Sequence, residues 1–114
     1  MNEVLFILCF TAVSHSPLEP IIPSTYISKT IGKSLYQTRK ELKKLKEEGL
    51  VVSDRYCMVG EDQNYIVSGY IITDKAKSTP EYKQAWEEER RLCKEIWDID
   101  IGDPDNDKRK EWEL

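Results

Sequence analysis

The apolar positions change rhythm several times along this chain, and each change marks an element. From Glu3 to His15, EVLFILCFTAVSH, the chain is apolar almost all round. That predicts a first helix buried beneath the rest of the domain, with a partner subunit as a second surface it could meet. Pro17, Pro20 and Pro23 then exclude helix from His15 to Pro23 and predict a loop. Ile21 and Ile22, between two prolines, would form a minimal strand against the edge of a later hairpin.

From Ser24 to Leu50 the pattern predicts two helices joined by a tight turn. Ser24 is the expected N-cap, with Tyr26, Ile27 and Ile31 at helical spacing. Gly32 supplies the freedom to turn. Ser34, with Gln37 three residues on, forms a capping-box pattern and starts a new helix, which Gly49 ends. On this second helix Leu35, Thr38, Leu42 and Leu45 share one narrow stripe, while Lys33, Tyr36, Gln37, Lys40, Lys43 and Lys44 project from the other side. Leu50–Met58 and Tyr65–Thr73 are rich in Val, Ile and Tyr, with the polar run GEDQN between them, and predict a β-hairpin.

Thr79-Pro80-Glu81 predicts a helix start, and the helix runs to about Asp98. Tyr82, Ala85, Trp86, Cys93, Ile96 and Trp97 form its apolar stripe. Tyr82, Trp86, Cys93 and Trp97 would serve a dimer interface, since large aromatics concentrate there. The competing expectation is packing on the first helix within one chain. From Ile99 onward the chain is acidic and aperiodic, which predicts a mobile tail in which Trp112 alone could dock. The expected organisation is therefore a domain over 1–77, a C-terminal helix over 78–98 and an acidic tail over 99–114.

An exposed helix face carrying cations, one aromatic and one amide suits the major groove of DNA. The cations neutralise phosphates while Gln and Tyr reach base edges. A solvated lysine-rich face is the plain alternative, and the short helix and turn before it shift the balance toward a helix-turn-helix. The run IGKSLYQTRKELKKLKEEGLV resembles the recognition-helix segment of bacterial winged helix-turn-helix regulators. YIITDKA at Tyr70–Ala76 resembles the close of their second wing strand, with Ala76 where that pattern has Gly. Lys33 stands where many members carry an apolar residue. The resemblance covers Asn2 to about Lys77 and assigns no subfamily. It implies an α+β winged helix-turn-helix, a three-helix core plus a β-hairpin wing, to which the C-terminal helix is added. Tyr36, Gln37 and Lys40 are the expected base contacts, and Lys43 and Lys44 the expected phosphate contacts. Lys33, Ser34, Arg39, Arg55 and Asn64 complete the expected contact set for double-stranded DNA. Tyr56 and Gln63 are further wing residues that could reach it, or equally be ordinary strand exterior.

Composition qualifies this reading without reversing it. The 114 residues are 39% hydrophobic and 33% charged, as in one highly charged globular domain. The net charge of -4 would disfavour a polyanion, but its distribution does not. Ser24–Met58 holds eight Lys/Arg against four Asp/Glu, whereas Thr79–Leu114 holds seven against twelve. A basic element beside an acidic one remains compatible with DNA. Glu61 and Asp62 make the hairpin tip a poor phosphate clamp.

Three scattered cysteines and the single His15, best read as a surface loop residue, give no zinc spacing. Each Cys is expected to be a small buried hydrophobe in a reducing cytoplasm. A secretory signal is the alternative for the N-terminus, but Glu3 stands where cations belong, and the run is too short to span a bilayer. Asp98, Asp100, Asp103, Asp105 and Asp107 lack the glycine and closing glutamate of a calcium loop. No phosphate loop or nucleophile–base pair is found, so no enzyme, cofactor, metal or small-molecule ligand is expected. The function expected is a small transcriptional regulator, of a phage or mobile element by its compactness, acting as a homodimer. A winged-helix adaptor that binds protein and not DNA is the alternative.

Overall fold

Helix α1 (Glu3–Ser14) lies at the centre of the molecule. The computed structural model describes residues 1–14 and 21–109, so the loop expected around His15 and the docking of Trp112 fall outside the described residues. Asn2 begins α1 by accepting from the Leu5 N–H at 3.0 Å. Its own side-chain amide donates to Glu41 at 2.7 Å, and its backbone N–H to Glu81 at 3.3 Å. Val4, Leu5, Leu8, Cys9, Ala12 and Val13 are buried along one side, and Phe6, Ile7 and Phe10 are half-buried on the other. The apolar helix thus sits beneath the helix-turn-helix as its composition requires.

Helices α2 (Ser24–Ile31) and α3 (Leu35–Glu47) follow, joined through Gly32 at φ 71°. The expected cap at Ser24 is corrected. Pro23, extended at φ -66° and ψ 148°, is the N-cap, so Ser24 already lies inside the first turn and its hydroxyl does not cap it. α3 behaves as its sequence predicts. Ser34 accepts from the Gln37 N–H at 3.1 Å. At its far end Gly49 N–H reaches Lys46 O and Leu50 N–H reaches Leu45 O, both at 3.0 Å, closing a Schellman motif around Gly49 at φ 77°. Ile27, Leu42 and Leu45 are fully buried, each contributing about 1.5–3 kcal/mol of apolar burial.

Strands β1 (Val51–Val59) and β2 (Asn64–Ile72) form the antiparallel wing, in register from Val51↔Ile72 out to Val59↔Asn64. Ile22 adds the expected minimal third strand, exchanging two 2.9 Å hydrogen bonds with Tyr70. Gly69 permits that approach, because a Cβ there would lie 2.7 Å from the Ile22 backbone. The wing is bolted to the end of α3: Thr73 Oγ1 donates to Gly49 O at 2.6 Å, and Lys75 Nζ to Glu48 O at 2.8 Å.

A 3-10 turn (Asp74–Ser78) leads into α4 (Pro80–Trp97), where Thr79 caps the Tyr82 N–H at 3.3 Å. α4 runs parallel to α1, since Asn2 meets Glu81 at one end and Ser14 Oγ meets Glu89 at 2.9 Å at the other. Asp98 ends it in the left-handed region at φ 53°.

The mobile acidic tail expected from Ile99 onward is corrected over 99–109. Ile101 is completely buried, and β3 (Gly102–Asp103) pairs with β4 (Asn106–Asp107). The acids that suggested a solvated tail are answered by arginines. Arg90 binds Asp100 through two nitrogens at 2.7 and 3.0 Å, and Asp103 at 2.9 Å. Arg109 pairs with the buried Asp107, donates to Val13 O at 2.6 Å and stands 5.1 Å from the Trp86 ring centre. Among the described residues no helix is long and apolar enough to cross a membrane.

Candidate nucleic-acid interface

Burial of Thr38, Leu42 and Leu45 fixes how α3 is rotated, and the rest of its surface follows from that. Tyr36, Gln37, Lys40, Lys43 and Lys44 are all exposed on the outward side, Tyr36 by 76%. Gln37 uses only its backbone N–H on the Ser34 cap, which leaves its side-chain amide free of partners among the described residues. Ser34 is committed to that cap. Lys33, just past the turn, pairs with Glu3 at 3.4 Å, both exposed, and such pairs are worth little.

Arg39 departs from the group. It turns toward the wing and lines a groove of about 320 Å³ with Ser24, Thr25, Ser53 and Ser68. Two turns further on, Lys46 donates to Ser53 Oγ at 3.0 Å, tying α3 to the wing. The sequence carried no signal for Lys46, because its role depends on which strand passes beside the helix. Arg55 and Asn64 are exposed on the same face of the ribbon as Val51 and Ile72, so they share the side that carries this groove. Tyr56 lies on the opposite face, and Gln63 contributes its carbonyl to the tip turn, accepting from Gly60 N–H at 3.0 Å.

The cations divide into two populations. Arg90, Arg91, Lys94, Lys108 and Arg109, on α4 and the short hairpin, all sit within salt-bridge distance of carboxylates. Arg39, Lys40, Lys43, Lys44 and Arg55 have no carboxylate or hydrogen-bond partner for their side chains among the described residues. Lys29 on α2 and Lys83 on α4 are likewise without such partners among the described residues, but the main concentration of unneutralised positive charge is on α3 and the base of the wing.

The face expected to form a dimer is largely consumed within the chain. Trp86 is buried, with its indole N–H on Gly102 O at 2.7 Å. Tyr82 is half-buried against it, ring centres 6.4 Å apart. Cys93 is half-buried and donates to Glu89 at 3.3 Å. Trp97 alone of the four is exposed, by 69%. Docking of the 99–109 segment over Trp86 is the physical reason, and no helical periodicity could have announced it.

The cysteines split as well. Burial and then the charge of Glu81 push the Cys9 thiol up to about 12, while burial and its bond to Glu89 push Cys93 up to about 11. Cys57, expected to be buried, is exposed on the wing. No group of three potential ligands for a metal occurs among the described residues.

No family model and no curated protein sequence matches the chain. Among solved structures it superposes on a cysteine-to-serine mutant of Lactococcus lactis ZitR with a TM-score of 0.50. The match covers 98% of this chain and 67% of that one, at 18% sequence identity. The fold is a winged helix. At that identity the likeness speaks for the architecture, α+β with four helices and a two-stranded hairpin, which agrees with the expectation from sequence.

Proposed function

We propose that the protein binds double-stranded DNA sequence-specifically and regulates transcription by occupying its site, with α3 in the major groove. The observation that carries this reading is the contrast between cations: Arg90, Arg91, Lys94, Lys108 and Arg109 are neutralised, and those of the outer α3 face are not. A helix face kept cationic at the cost of self-repulsion is stabilised when it meets phosphates and releases their counterions. The fold shared with a bacterial winged-helix protein adds support.

In this arrangement Tyr36, Gln37 and Lys40, on the first turns of α3, read base edges. Arg39, Lys43, Lys44 and Arg55 hold phosphates, Arg39 from the groove between α3 and the wing and Arg55 from the wing itself. Lys33 exchanges its weak pair with Glu3 for a phosphate, and Asn64, on the outer half of the wing that lacks Lys and Arg, makes no contact in this arrangement. Ser34 acts through the helix cap. One such helix covers few base pairs, so two copies occupy half-sites about 34–36 Å apart.

Selection of bound sites from random duplexes, followed by titration at low salt, tests the proposal. An enriched motif bound more tightly than scrambled duplex is expected. No retention of any duplex at low salt would end the reading and favour a protein-binding adaptor.

A further inference from the structure

We propose that the outer half of the wing is a self-association surface, on which the wings of two copies stack antiparallel about a two-fold axis near Cys57. From Tyr56 to Ile66 the wing carries no Lys or Arg, and its tip carries Glu61 and Asp62. Phosphate would be repelled there, so this half is poorly suited to DNA. It is apolar instead: Val59 is 84% exposed and Ile66 68%, with Cys57 exposed between them. The register puts these three on one face, with Cys57 opposite Ile66. A two-stranded ribbon is marginal in water without a packed face, and none of the described residues covers this one.

Charge selects the occupant. The same face runs inward from Val59 through Cys57 to the unpaired Arg55 and then Ser53, on which Lys46 rests at 3.0 Å. A two-fold axis at Cys57 lays each outer residue over the inner residue equally far from it. Val59 then covers the partner copy's arginine stem, and the Glu61 carboxylate falls over the site of Ser53 and Lys46. Apolar groups meet at the centre and acids meet cations at both ends, so the surface is complementary to itself, as an isologous interface must be. The patch of Ile96 and Trp97 offers no such selection, since Arg91 and Lys94 beside it are already paired with Glu95 and Asp98.

Association does not depend on DNA, so sedimentation of the full chain alone tests it while duplex binding is measured separately. Wild type should dimerise in the micromolar range, and Ile66→Asp should weaken the dimer roughly tenfold or more. Glu61→Lys with Asp62→Lys should weaken it too, and adding Lys46→Glu should restore it. A short bis-maleimide should join two wild-type chains and fail on Cys57→Ser, which still sediments as a dimer. A monomeric wild type overturns the proposal, as does a dimer that Ile66→Asp leaves intact or that only Trp97→Ala dissociates.

Discussion

The indole N–H of Trp86 donates to the carbonyl oxygen of Gly102 at 2.7 Å, inside a contact that also buries Ile101 completely. One hydrogen bond thereby joins the middle of α4 to a segment whose composition resembles a disordered tail. Trp86→Phe keeps most of the ring packing and leaves the Gly102 carbonyl without its donor, so a loss of about 1–3 kcal/mol is expected. Trp86→Ala should cost about 3–5 kcal/mol. Urea denaturation measures both, and a Phe variant as stable as wild type would show that the bond does not hold the hairpin.

Asp100 should make the acid limb of stability steeper. Hydrogen bonds from Arg90, then from the Gly102 N–H, lower its pKa from 3.8 to about 2. A folded pKa below the unfolded one means a contribution present in full above the unfolded value and lost as pH falls from about 4 toward 2. In Asp100→Asn that portion of the pH dependence should vanish. Urea midpoints compared across this window, in wild type and variant, decide it.

Binding to duplex DNA should weaken steeply with salt. If four or five of Arg39, Lys40, Lys43, Lys44 and Arg55 meet phosphate, log K should fall against log salt with a slope near ~-4. Fluorescence anisotropy over a salt series gives the slope, and a flat response removes the electrostatic part of the proposal.

Gln37 and Lys44 should fail differently. Gln37→Ala should reduce discrimination between the selected site and a mismatched one by ~1–3 kcal/mol, leaving nonspecific binding intact. Lys44→Ala should weaken all duplexes alike. An unchanged preference in Gln37→Ala would place base reading on other residues.

What could be read from sequence was whatever is decided within a few residues. The Ser34 and Thr79 caps, the Schellman glycine at 49 and the buried stripe of α3 each depend on local spacing, and each stands where its pattern put it. The Ile22 strand was legible because two prolines isolate an apolar pair. Distance in sequence hid the rest. Ser24 lost its cap to Pro23 through the backbone path entering α2. The hairpin at 102–107 has strands of two residues and no period to detect, and Arg90 reaches Asp100 and Asp103 across ten and thirteen positions. Arg39 shares a helix with Lys40 yet faces the wing, a distinction that required knowing where Ser53 and Ser68 run.

The bond from Arg109 to the Val13 carbonyl spans 96 positions of sequence. During synthesis α1 leaves the ribosome first among the elements, yet the groups that close over its far end are translated last among the described residues. Domains commonly fold from the N-terminal side as they emerge. Here the far end of the most apolar helix waits until Arg109 has been decoded. Ribosome stalling before Arg109 therefore leaves a chain in which that end of α1 is still unsealed.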